Sequence, residues 1–182
     1  MTATGLALGT LAVVSEDEPR SLRFRRRHLA EGAAIAAGLY MIFSLGDRAA
    51  RAVMPKGGDE IGDVYELRSL EPAVRIAARL MGVVGPAEEL YWRGLVQKRL
   101  GERRGPAASL ALGAAAYTGA HLPTRNATLI GAAAVAGLYW GGLYEAGVDL
   151  ESLIVSHVMW DAVIFLVRPT AASRSALGTA TS

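Results

Sequence analysis

The strongest constraint on this chain is a series of long apolar segments, interrupted by very few charges. Residues 29–45 read LAEGAAIAAGLYMIFSL and carry one charge, Glu31, near the start. Residues 107–120, 127–143 and 150–167 are comparable runs, and a further one, from Pro72 to about Gly101, is broken at Gly85–Pro86. A helix needs about 20 mostly apolar residues to cross a bilayer core of about 30 Å, with about 17 at the lower limit. None of these runs alternates with a period of two, which argues against strands. The fold class expected is therefore all-α: a polytopic membrane helical bundle with about five spanning or near-spanning helices.

Composition agrees with close helix packing. Of the 182 residues, 52% are hydrophobic and 21 are glycine, while phenylalanine occurs only three times. Small side chains of this kind let helix backbones approach one another in a membrane. The absence of cysteine excludes disulfides, thiolate metal sites and a cysteine nucleophile. A formal net charge of +2 is too small to imply a nucleic-acid partner. The arginines cluster at 20–27 and 93–104, beside apolar runs, as expected at a cytoplasmic membrane face.

The organisation expected is a polar and basic N-terminal segment over 1–28, a helical membrane domain over 29–168 with its chemical core at 72–168, and a disordered tail over 169–182. Residues 5–14 are apolar but too short to span. They lack a basic stretch in front of them, so they do not read as a cleaved signal peptide. Residues 47–69 read as an extramembrane connection with room for a short surface helix. A helix is expected to begin near Pro72, with Ser69 as its cap. Pro86 either kinks that helix or starts a new one ending near Gly101. Entry from the cytoplasm at Arg27 would return residues 98–104 to the same side after two crossings.

Three polar clusters interrupt the apolar helices. In Glu88-Glu89-Leu90-Tyr91-Trp92-Arg93, Glu89 and Arg93 are four apart in the favourable acid-before-base order, so they can pair along one face. Glu88 is rotated by about 100° from Glu89 on an ideal helix, which leaves it available as a general base. Tyr117-Thr118-Gly119-Ala120-His121 ends an uncharged run. His157-Val158-Met159-Trp160-Asp161 puts two ionisable groups four apart within the last apolar run, where such residues mark function. A carboxylate near a helix kink and two histidines on separate helices suit water activation, with the histidines as proton donors or metal ligands.

In this order the clusters resemble the signature of the CPBP family of intramembrane proteases, also called the CAAX-protease or bacteriocin-processing (Abi) family. That signature is Glu-Glu-x-x-x-Arg, then an aromatic residue shortly before a histidine, then His-x-x-x-Asn or Asp. Residues 86–94, 117–121 and 156–161 carry the three parts, and the resemblance covers about 72–168. Tyr117 stands where phenylalanine is commoner, and Asp161 stands where the eukaryotic prenyl-protein proteases have asparagine. The family usually has more spanning helices than are counted here.

The resemblance implies an intramembrane endopeptidase acting on a membrane-associated protein or peptide. Glu88 would take a proton from water, and Glu89 and Arg93 would fix its helix. His121 and His157 would hold the water or the oxyanion, and Asp161 would set the tautomer of His157. A divalent metal such as zinc, held by Glu88, His121, His157 and Asp161, is the cofactor these donors would suit. The HExxH spacing of soluble zinc proteases is absent, and the expectation leans towards no tightly bound metal. The partners implied are the lipid bilayer and a peptide substrate, in a multi-pass protein of a bacterial inner membrane. The alternative is a non-proteolytic membrane protein that uses the same groups as a proton or ion relay, or as an immunity or binding scaffold.

Overall fold

In the computed structural model, the described residues are 2–15, 21–53, 75 and 78–163. The expected cap at Ser69, the helix start near Pro72, residues 54–69 of the connection, the end of the last run at 164–167 and the tail at 169–182 lie outside them. No strand occurs among the described residues. Six helices do: α1 (Thr2–Val14), α2 (Arg26–Val53), a composite α3 over residues 80–104, α4 (Pro106–Gly119), α5 (Ala127–Glu145) and α6 (Leu150–Ala162).

The all-helical expectation holds, and the count of about five spans is met in part among the described residues. Two helical stretches, Arg26–Gly46 and Ala127–Glu145, are long and apolar enough to cross a membrane. The 14 residues of α4 and the 13 described residues of α6 are shorter. α4 is cut short at both ends, by Gly105–Pro106 and by the turn at His121. Conversely, α2 does not stop at Leu45. Nothing between Gly46 and Val53 breaks a helix, and the Ala-rich sequence carries it on.

Terminal chemistry explains where helices begin and end. Pro106 opens α4 at the position where its missing N–H costs nothing. Gly105, at φ +80°, turns the chain there, so α3 runs past Gly101 to Arg104. Asn126 caps α5, its side chain accepting from the Leu129 N–H at 2.8 Å. α5 closes in a Schellman motif: Gly147, at φ +88°, donates to the Tyr144 carbonyl and Val148 to the Leu143 carbonyl.

Pro86 neither breaks α3 nor starts it. Leu80–Val84 forms a π turn, Gly85–Glu89 is α-helical, Leu90–Gln97 is π-helical, and Lys98–Arg104 returns to α. Proline clashes with the carbonyl four residues back in an α-helix. The wider turn ahead of Pro86 accommodates that ring, and π segments of this kind concentrate at functional sites.

Side-chain contacts give the directions of the helices. Gln97 donates to the Gly141 carbonyl and Arg93 to the Gly137 carbonyl, so α3 and α5 run parallel. Ser109 donates to the Gln97 carbonyl while Tyr117 reaches Glu88, so α4 runs against α3. Between α2, α4, α5 and α6 lies a core of Ile35, Leu39, Tyr117, Ala133, Ala136, Trp140 and Leu153. α1 lies along α3, with Gly5 against Val83 and Val84 and Gly9 against Ala87. These two small residues four apart allow that approach.

Both arginine clusters come to the same end of the bundle. Arg27 pairs with Asp149 at 2.6 Å, and the Arg23 N–H donates to Glu151 at 2.9 Å, at the start of α6. Gln97, next to the basic end of α3, donates to Glu145 at the end of α5 (2.8 Å). Arg99 donates to the Ser15 carbonyl at the end of α1.

Candidate active site

The site is built where α3, α4, α5 and α6 face one another. Glu89 sits on α3 with no solvent exposure, and Oε1 accepts from Arg93 Nη1 at 3.1 Å one turn on. The same oxygen lies 2.7 Å from His157 Nδ1 on α6. A carboxylate only accepts, so Nδ1 carries the proton and donates. Nε2 is thereby left on the working side of the ring, 3.8 Å from Asp161 Oδ2 and 4.0 Å from Glu88 Oε2.

Glu88 has a different environment. Its side chain is 19% exposed, against 0% for Glu89 and 7% for Asp161. The Tyr117 hydroxyl donates to its Oε2 at 3.0 Å. His121 stands at the end of α4, partly buried, with Nδ1 2.9 Å from the Tyr117 carbonyl. That carbonyl requires a donor, so a neutral His121 presents the lone pair of Nε2 outward.

Aromatic rings hold the charged groups in place. Trp140 of α5 stacks on the His157 ring, 4.2 Å between centroids and 21° between planes, and donates to Ser156 Oγ at 3.0 Å. The Arg93 guanidinium lies over Tyr117 at 4.9 Å and over Trp140 at 5.6 Å. Cation–π contact of this kind offsets part of the cost of burying a guanidinium.

Five of the six residues expected from the sequence, Glu88, Glu89, Arg93, His157 and Asp161, form one cluster linked by these contacts. His121 adjoins it through Tyr117. Asp161 was expected to set the tautomer of His157; Glu89 lies on the Nδ1 side of that ring and Asp161 faces Nε2. Sequence reasoning did not single out Trp140, Ser156 or the Tyr117 hydroxyl. Only the tyrosine at a position more often phenylalanine carried a signal.

A divalent metal is the one cofactor that the sequence raised. Among the described residues, no three His, Asp or Glu side chains gather into a set that could hold one. Glu88 Oε2 is taken by the Tyr117 hydroxyl and His157 Nδ1 by Glu89. Those two atoms are thereby committed within the protein.

The family model for type II CAAX prenyl endopeptidase Rce1-like proteins matches residues 71–163. The chain belongs to this family. The match covers half of the chain, and all six site residues fall inside it. No curated protein and no solved structure matches the chain. As a CAAX-type protease family, the Rce1-like proteins are membrane hydrolases, which agrees with the two apolar helices of spanning length. α1 and α2 lie outside the matched Rce1-like region, although both pack against it.

Proposed function

We propose that this Rce1-like chain is an intramembrane endopeptidase that hydrolyses a peptide bond of a membrane-associated protein or peptide, using water activated by Glu88. The carrying observation is the inequality among three neighbouring carboxylates. Glu89 is enclosed and committed to Arg93 and His157, Asp161 is nearly enclosed, and Glu88 alone keeps substantial access to solvent. A general base needs such access to the proton it takes.

In the reaction, the water oxygen attacks the scissile carbonyl carbon as its proton passes to Glu88. His157 Nε2 and His121 Nε2, when protonated, stabilise the oxyanion of the tetrahedral intermediate. The C–N bond then breaks, and the proton held by Glu88 passes to the departing amine. Glu89 orients His157 through Nδ1, and Arg93 balances the charge of Glu89. The substrate comes from the membrane or its surface, and the protein acts as a multi-pass protein of a bacterial inner membrane.

The test is cleavage of a membrane-presented peptide library by purified wild type and by Glu88→Ala, each with and without chelator. Wild type is expected to cleave, Glu88→Ala to be inactive while folded, and the chelator to leave the rate unchanged. Equal cleavage by both proteins would remove Glu88 as the base. Loss of activity with chelator, restored by zinc, would replace the metal-free chemistry.

A further inference from the structure

Tyr117 touches two members of the site with its two ends. Its hydroxyl donates to Glu88 Oε2 at 3.0 Å, and its carbonyl accepts from His121 Nδ1 at 2.9 Å. Between these ends the ring is enclosed, with 5% of the residue exposed. Trp92 meets it edge-on at 5.6 Å, Arg93 lies over it, and the His121 ring is 5.0 Å away. A Cβ added at Gly137 would come within 3.2 Å of Tyr117 Cδ1, so the helix opposite has no slack either.

A phenylalanine would fill the same box. The hydroxyl therefore adds nothing to packing that the ring does not already supply. It adds one directed donor, placed on the one carboxylate of the site that solvent reaches.

We infer that Tyr117 is a positioning residue for Glu88: its hydroxyl occupies Oε2, fixes the carboxylate's rotamer, and leaves Oε1 to take the proton from water. This rests on the protease function proposed above. A carboxylate free to rotate would offer either oxygen in several poses. One held at Oε2 presents a single acceptor, in constant relation to His121, because the same residue anchors both.

The experiment compares Tyr117→Phe in the wild type and in Glu88→Asp, whose shortened side chain withdraws the carboxylate from the phenol. In the wild type, Tyr117→Phe is expected to lower kcat by about ten- to a hundredfold, as for a hydrogen bond to a charged group. KM and the melting temperature in detergent should stay unchanged. In Glu88→Asp, the same substitution should change kcat less than twofold. A fall in kcat by the same factor in both backgrounds, or a rise in KM with kcat unchanged, would overturn the inference.

A second measurement does not depend on activity. The infrared carboxylate band of Glu88, isolated by difference against Glu88→Gln, should shift in Tyr117→Phe. An unshifted band overturns the pairing whatever the rates. A wild type that cleaves nothing would sink the protease function and the catalytic part of this inference, while the band still decides whether Tyr117 holds Glu88.

Discussion

His157 Nδ1 lies 2.7 Å from Glu89 Oε1, joining α6 to α3 at a point with no solvent exposure on the glutamate side. The adjacent glutamates therefore have separable duties. Removing one member of a buried, paired charge leaves its partners uncompensated, at a cost of about 3–5 kcal/mol. Glu89→Gln should accordingly lower the melting temperature in detergent substantially, as well as abolishing cleavage. Glu88→Gln should abolish cleavage and melt close to wild type. Equal melting temperatures for the two variants would refute this division.

Asp161 stands 3.8 Å from His157 Nε2, too far for a direct hydrogen bond. Its contribution should depend on shape and polarity more than on charge. Asp161→Asn should retain kcat/KM to within about tenfold, or roughly 1.4 kcal/mol. Asp161→Leu should cost about a hundredfold or more, as expected when a group stabilising an oxyanion is disabled by loss of its polar neighbour. A larger loss from the asparagine than from the leucine would contradict this assignment.

Small residues set how closely α2 approaches α6. A Cβ at Gly32 would lie 2.6 Å from Val155 Cγ1 and 2.9 Å from the Ser152 carbonyl, which is backbone and cannot swing aside. Gly32→Ala should destabilise by about 1–3 kcal/mol, as overpacking does. Gly46, on the same helix, has open space around it. Gly46→Ala should be neutral or stabilising by up to about 1 kcal/mol. Thermal melts of the pair in one detergent check both signs.

Trp140 supports His157 by stacking and spends its N–H on the enclosed Ser156. Trp140→Phe keeps an aromatic face but strips the serine of that donor. Its cost should therefore fall when Ser156→Ala is added, because removing both partners of a buried hydrogen bond is far cheaper than removing one. A double variant less stable than Trp140→Phe would show that Ser156 matters for another reason.

The parts of the site that could be read from the sequence are those whose partners share a helix. Glu89 and Arg93, and His157 and Asp161, are four apart, and helical spacing alone brings each pair onto one face. The apolar runs gave α4, α5 and the start of α6 nearly to the residue. What escaped depends on contacts between helices: Glu89 to His157, Tyr117 to Glu88, Trp140 on His157. No periodicity encodes which of two carboxylates a distant histidine will meet. The π turns escaped as well, because Pro86 signals a disturbance without saying whether the helix stops, bends or widens. α1 was readable as too short to span, but its seat on α3 was not, although Gly5 and Gly9 already had the spacing for it.

The two side chains that α3 sends to α5 have a kinetic consequence. Arg93 and Gln97 sit four residues apart, and the glycine carbonyls that receive them, at 137 and 141, are four apart as well. Such a pairing works like a pawl on a rack. An offset of one or two residues would break both of these bonds between α3 and α5, and the next matching position is a whole turn away, about 5.4 Å along the axis. Gradual sliding between α3 and α5 thus costs both bonds at once. A tilt that carries α3 and α5 together leaves both bonds in place.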